Sequence, residues 1–365
     1  MPRKVPFLDL RITDDVERRA LLDAVDRVFR HGRIVLGPEV TELEQSVARL
    51  CGRRYCAGVN SGTDALYLAL RALKVGPGDE VITTALSWVA TANAIALTGA
   101  TPVFADIRDD LNLSPDSVRS LVGPRTKCIL PVHYTGKVCD MTALGEIARR
   151  HKLLVLEDAS QCFSARHRGG IAGSFGDAAA FSLNPMKVFA ACGEAGLVVT
   201  DDEALMQRLE FLRYNGCVNR ETCVEPSLNG RLDTVQAAML LERLKRVDGV
   251  VERRRHNAAQ YRQRLAGKVV CPTDAEGDRD VYYTFTIQMD RRDALKEFLA
   301  KRGVETKIQH PLLMPQQPAY AGTAKGDYPN ALRLVPRVLC LPVHEKLGEE
   351  DVAYVCDCVL DFFGK

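Results

Sequence analysis

Four short stretches of this 365-residue chain carry side chains that could do chemistry together. In LLVLED, Asp158 ends an apolar run that reads as a strand. Ligands of open parallel sheets sit beyond the carboxyl ends of strands. A carboxylate drawn partly out of water there needs a positive partner, although the position also suits an aspartate that caps a turn. In FSLNPMKVFAACGEAG, Lys187 lies among apolar and small residues, after Pro185 and before Gly193 and Gly196. An amine in such surroundings is a usable nucleophile. The alternative is a stem lying on the protein with its head in solvent. Ser61, Gly62 and Thr63 open the helix-like TDALYLALRAL. Hydroxyls and free amides at the positive end of a helix make an anion site, or a plain N-cap with no ligand. Trp88, the sole tryptophan, follows the strand-like VITTAL. A flat ring could stack on its indole there, and a core aromatic is the competing reading.

These features must be held in place by the elements around them. From about residue 15 to 245, helical and strand-like patterns alternate: EVTELEQSVARL and MTALGEIARRH read as amphipathic helices, CILPVHY and LLVLED as short buried strands. This rhythm predicts an α/β fold, a mostly parallel central sheet with helices on both faces. Long charged helices then begin at DTVQAAMLLERLKRVDGVVERRRHNAAQYRQRL. We expect a large domain over residues 1–245 and a smaller α+β domain over 246–365. The smaller one would contain a strand (YYTFTIQM), a helix (RRDALKEFLAKRG) and a strand (VETKIQH).

Composition narrows the class further. A net charge of +2 gives no basic surface for nucleic acid, so an anionic ligand must be held locally. The start, MPRKVPFLDLRITDD, has a short apolar stretch broken by Asp9 and Arg11 and is not expected to act as a secretory signal. Val81 to Ala105 carries no charge and is long enough to cross a bilayer. It reads instead as strand, helix, turn and strand of a water-soluble core, so no membrane partner is expected. The twelve cysteines include no C-x-x-C pair, and Cys356 and Cys358 are expected on different sides of a C-terminal helix. Reduced thiols in a cytoplasmic protein are the simplest reading, with no metal site. A phosphate cradle, a stacking ring, a carboxylate beyond a strand and an enclosed lysine together fit pyridoxal phosphate. Asp158 would then pair with a protonated pyridine nitrogen and keep the ring an electron sink.

At this point the chain resembles the sugar aminotransferases of the DegT/DnrJ/EryC1/StrS family. The likeness runs through VPFLDL, GRIVLGPEVTELE, NSGTDAL, GDEVIT, SWVATANAI, EDASQ, GSFGDAAAFS, the lysine loop, LNGRLDTVQAAML, HPLLMPQQPAY and CLPVH. The resemblance implies the type I aminotransferase fold. It implies that Lys187 carries the cofactor as a Schiff base, that Asp158 meets the pyridine nitrogen, and that Gln161 lies near the ring hydroxyl. It also puts Trp88 against the ring and Gly62, Thr63 and Ser182 on the phosphate. Asn229 would reach the phosphate of a neighbouring subunit, which implies a homodimer with shared sites. The expected reaction moves an amino group from an amino acid donor, L-glutamate first, to a nucleotide-linked keto sugar. The likeness leans toward a UDP-linked 3-keto N-acetylhexosamine and toward amino-sugar, surface polysaccharide or lipopolysaccharide biosynthesis. The chain departs from the family pattern at Asn184, Ala195, Gly230 and the Gln309-His310-Pro311 stretch. Gln309 and His310 therefore become candidate contacts to the substrate. Rival readings are a sugar dehydratase, which would carry histidine at the position of Lys187, a cyclitol aminotransferase, and a regulatory protein that keeps the fold without turnover.

Overall fold

The structure, a computed structural model, describes residues 3–322 and 326–364. Helices α1 (Asp15–His31) and α2 (Pro38–Leu50) lead into strand β1 (Tyr55–Val59) and helix α3 (Gly62–Ala72). There follow β2 (Glu80–Thr84), α4 (Ala90–Leu97), β3 (Thr101–Ala105), α5 (Pro115–Leu121), β4 (Thr126–Leu130), α6 (Met141–His151) and β5 (Leu154–Asp158). After a short ladder of β6 (Arg166–His167) and β7 (Gly170–Ile171) come β8 (Ala178–Ser182), β9 (Gly196–Thr200) and α7 (Glu203–Leu212). A hairpin of β10 (Cys217–Val218) and β11 (Thr222–Cys223) precedes α8 (Thr234–Leu244) and α9 (Val247–Leu265). The chain ends with β12 (Phe285–Gln288), α10 (Arg292–Lys301), α11 (Pro329–Leu334), β13 (Val338–Leu341) and α12 (Glu349–Phe362).

Among the described residues the central sheet runs β1-β9-β8-β5-β4-β2-β3. Neighbours from β8 to β3 are parallel, and β9 is antiparallel to both β8 and β1. The strands are short apolar runs because both faces of the sheet are covered. Along β5, Val155 belongs to a core shared with Leu43, Leu144 and Leu240 of α2, α6 and α8, and Leu156 to one shared with Leu66, Ile95 and Leu209 of α3, α4 and α7. Local signals agree with the helices they start. Ser61 caps α3, Asp140 caps α6 and Asp202 caps α7, each through its side-chain oxygen. The uncharged stretch from Val81 to Ala105 is the β2-α4-β3 unit, and among the described residues no helix is long and apolar enough to cross a membrane.

Helix α9 joins two cores. Val247 and Val251 pack in the core against the sheet, while Ala258, Tyr261 and Leu265 pack with Val5, Phe285, Leu341 and Val355. Cys356 and Cys358 are both buried, because α12 is packed between α9 and α10. One expectation is corrected. VETKIQH is not a strand of the small unit; β12 pairs instead with β13. The segment makes only single bridges, Val304 to Val5 and Lys307 to Cys340. Gly303 just before it (φ 77°) and His310 at its end (φ 54°) turn the backbone into the left-handed region at both limits of the segment.

Candidate active site

The end of β5 carries two carboxylates on opposite faces of the sheet, as the period of two requires. Glu157 is fully buried on one side. It bonds His133 Nε2 at 2.9 Å and accepts the amides of Gly173, Phe175 and Gly176, each at 2.8 Å. Burial alone would raise its pKa. The His133 hydrogen bond and charge, with the amides of Gly176 and Gly173, outweigh that and hold the carboxyl below its ordinary value. Asp158 points to the other side and is 4% exposed. Its Oδ2 accepts from Thr91 Oγ1 at 2.8 Å and its Oδ1 from the Ser160 amide at 3.2 Å. No Lys, Arg or His among the described residues forms an ion pair with it. A buried carboxylate with only two neutral donors keeps acceptor capacity for a cation.

On the same face, the first turn of α3 presses against the end of β8. A Cβ on Gly62 would lie 2.4 Å from Ser182 Cβ, and one on Gly196 would lie 2.2 Å from the Ser61 carbonyl oxygen. Only glycine permits both approaches. Within this turn the Ser61 hydroxyl accepts the Asp64 amide at 3.1 Å, and the first helical hydrogen bond runs from Ala65 N to Ser61 O at 2.9 Å. The Gly62 and Thr63 amides precede any intrahelical acceptor, which suits them to an anion.

The loop between β8 and β9 presents Lys187. It is tied at its base by Leu183 N to Ala195 O at 2.8 Å and closed by Ala191 N to Leu183 O at 2.7 Å. The half-buried Lys187 places Nζ 4.6 Å from the centre of the Tyr283 ring. Tyr283 is held there by the turn at Tyr134–Gly136, whose carbonyls at Thr135 and Gly136 accept the amides of Thr284 and Val281. Gln161 Oε1 accepts the Thr135 amide at 2.8 Å, so the same turn is fixed from the β5 side.

Trp88 stands just before α4 and is 61% exposed, which rules out the core reading. Its ring centre lies 5.9 Å from that of His310. Tyr134 Oη and His310 Nδ1 share a hydrogen bond at 3.0 Å, and the same hydroxyl lies 3.5 Å from the Gln309 carbonyl oxygen. Burial, then the charges of Lys187 and Lys307, lower the His310 pKa to about 3, so the ring is neutral. Gln309 is buried and lines a cavity of about 210 Å³ with Met186, Tyr283 and Lys307. A larger open cleft of about 890 Å³ lies beside Lys187, lined by the segment around Leu8–Asp14 and by Arg253 and Arg254 of α9.

The fold thus places Gly62 against Ser182 and Trp88 against His310, ties Gln161 to the turn that holds Tyr283 beneath Lys187, and puts Asp158 at the end of the adjoining strand. Asn229 stands apart. It is exposed, and its Oδ1 accepts from Arg231 Nε at 2.7 Å. Sequence reading missed Thr91, Tyr134 and Tyr283. Thr91 sits three residues after Trp88, in the first turn of the helix that follows, and so was within reach of a spacing argument. Tyr134 and Tyr283 become neighbours of the site only through tertiary packing.

Comparison with known proteins shows the family and the fold. Residues 15–360 match the model of the DegT/DnrJ/EryC1/StrS aminotransferase family, and the chain belongs to that family. It is 40% identical over 98% of its length to dTDP-3-amino-3,4,6-trideoxy-alpha-D-glucose transaminase of Streptomyces venezuelae, covering 96% of that protein. It is 37% identical to UDP-N-acetyl-3-dehydro-alpha-D-glucosamine 3-aminotransferase of Acidithiobacillus ferrooxidans, over 97% of each chain. The crystal structure of NtdA from Bacillus subtilis with bound cofactor PMP superposes with a TM-score of 0.92 at 31% identity, over 99% of this chain and 86% of that one.

Proposed function

We propose that this sugar aminotransferase moves an amino group from L-glutamate to C3 of a nucleotide-linked 3-keto hexose, with a UDP-linked 3-keto N-acetylhexosamine as the first choice. The observation that carries the cofactor assignment is Asp158, a buried carboxylate at the end of β5 that has hydroxyl and amide donors but, among the described residues, no cationic partner. Pyridoxal phosphate, when bound, supplies the cationic ring nitrogen that such a carboxylate holds, together with an electron-withdrawing ring. The amides of Gly62 and Thr63 and the Ser182 hydroxyl would hold its phosphate, Gln161 its hydroxyl side, and Trp88 one face. Lys187 Nζ would hold it covalently between turnovers. Once displaced by the donor, that amine would take the proton from the donor's α-carbon as a base and give it back as an acid two bonds away, across the nitrogen. In the second half of the cycle it serves the keto sugar in reverse order.

The acceptor carbon is proposed from the names of two relatives, one for a dTDP sugar and one for a UDP sugar, both of which put the amino group at C3. The exposed Asn229 suits a homodimer in which it serves the phosphate of a second copy. We place the reaction in the cytoplasm, feeding surface polysaccharide or lipopolysaccharide.

The test is a half-reaction. Glutamate should convert the lysine-bound cofactor to its amine form with loss of visible absorbance. A panel of UDP- and dTDP-linked 3- and 4-keto sugars, with a keto-inositol beside them, is then scored for return of that absorbance. Response to a 4-keto sugar or to the cyclitol alone would overturn the acceptor. Lys187→Ala should lose both the absorbance and transamination; a variant that keeps both overturns the assignment.

A further inference from the structure

The β10-β11 hairpin, in the segment between α7 and Asn229, sets two cysteines face to face. Cys217 and Cys223 are direct partners in the antiparallel register. The flanking hydrogen bond runs from Val224 N to Gly216 O at 2.9 Å. The cysteines therefore occupy a non-hydrogen-bonded pair, where facing side chains stand closest and Cα separations fall in the range a disulfide spans. Both thiols point at one acceptor: Cys217 Sγ lies 3.9 Å and Cys223 Sγ 3.5 Å from the Asn215 carbonyl oxygen. The Cys217 thiol is held above its ordinary pKa, first by desolvation and then by Cys223 beside it.

Access separates this pair from the rest. Cys223 is exposed and Cys217 half-buried, and Cys217 lines an open cleft of about 1030 Å³ with Phe211, Tyr214 and Arg220. Eight of the other cysteines are buried, and Cys192 and Cys271 lie on separate segments. The hairpin turns through Asn219 (φ 47°) and Arg220 (φ 64°), left-handed positions that disfavour residues other than glycine. A cross-link at its base would hold that turn closed.

We propose that Cys217 and Cys223 are a reversible dithiol site that low-molecular-weight disulfides oxidise to an intrachain cross-strand disulfide. The step balances. The Cys223 thiolate attacks one sulfur of the small disulfide, forms a mixed disulfide and releases one small thiol. The Cys217 thiolate then attacks Cys223 Sγ and expels the second. Two electrons pass to the small disulfide, and the two thiol protons leave on the two released thiols. The chemistry is independent of amino transfer, so its failure would say nothing about the function proposed above.

The experiment uses the full chain with its cofactor, incubated with glutathione disulfide, quenched by alkylation and digested with trypsin without reduction. Cleavage after Arg213, Arg220 and Arg231 puts the two cysteines in different peptides. The expected product is Tyr214–Arg220 linked to Glu221–Arg231, lost on adding dithiothreitol. Cys217→Ser and Cys223→Ser, each with an unchanged circular dichroism spectrum, should instead retain glutathione on the remaining cysteine. Glutathione on the wild-type hairpin without the link, a link between two chains, or thiols that stay open to alkylation would overturn the proposal.

Discussion

Thr91 Oγ1 donates to Asp158 Oδ2 at 2.8 Å, so the first turn of α4 orients the carboxylate that ends β5. The hydroxyl bonds one oxygen and leaves the group room for another donor. Thr91→Val keeps the shape and removes that hydrogen bond. A bond to a charged group is worth about 1.5–3 kcal/mol, so cofactor affinity should fall about tenfold or more. Asp158→Asn should lower turnover on the order of 10²-fold, as when a preorganised electrostatic partner is lost. Equilibrium titration with pyridoxal phosphate and initial rates check the two. Unchanged affinity in Thr91→Val would remove Thr91 from the site.

The contact of Gly62 with Ser182 makes a second prediction. Gly62→Ala should weaken cofactor binding at least tenfold, because the added methyl meets Ser182 Cβ and Oγ at 2.4 and 2.8 Å. Ser182→Gly in the same chain removes those two contacts and leaves only the Ser182 Cα, at 2.9 Å, so it should recover part of the folding stability, measured by urea denaturation, but not phosphate affinity. Recovery of both would mean that Ser182 takes no part in holding the phosphate.

The Glu157–His133 pair sets acid stability. Glu157 is fully buried, so Glu157→Gln should cost about 3–5 kcal/mol, the range for breaking a buried pair by removing one partner. Because the carboxyl sits below its ordinary value in the folded chain, the unfolded chain takes up the proton first as pH falls. The stabilisation is therefore present above the ordinary carboxylate range and is lost as pH drops toward the folded-state value. Urea midpoints against pH should show this loss in the wild type and a flatter acid limb in Glu157→Gln.

His310 contributes with a different window. Its folded pKa, about 3 against an ordinary 6.5, means that the unfolded chain gains a proton between those values while the folded chain does not. Stability should fall across that interval, and His310→Gln should lessen the fall. The same urea series reads it, and an unchanged slope would mean that the ring is charged in the folded chain.

Much of the fold was legible because buried parallel strands and amphipathic helices write their periods openly. MTALGEIARRH became α6 residue for residue, and EVTELEQSVARL lies within α2. VETKIQH failed because its composition suits a strand, while packing in the fold gives it only single bridges, to Val5 and to Cys340. In the site, Asp158, Lys187 and Gly62 carried local signals of strand end, enclosed loop and helix start. Tyr283 carried none. Its place under Lys187 depends on a turn almost 150 residues earlier in the chain, held against it by backbone hydrogen bonds that no local pattern announces.

The alternation at the end of β5 also bears on how this chain can change. Glu157 and Asp158 are adjacent, and they differ by one methylene in type but by the whole thickness of the sheet in surroundings. Inserting or deleting one residue within β5 would exchange their faces. The acid that holds His133 and three amides would then stand in the ligand cleft, and the other would lie among donors set for a longer side chain. Point substitutions along the strand leave that assignment intact. Length changes do not, so β5 should tolerate drift in its apolar residues and reject indels, whatever happens in the loops around it.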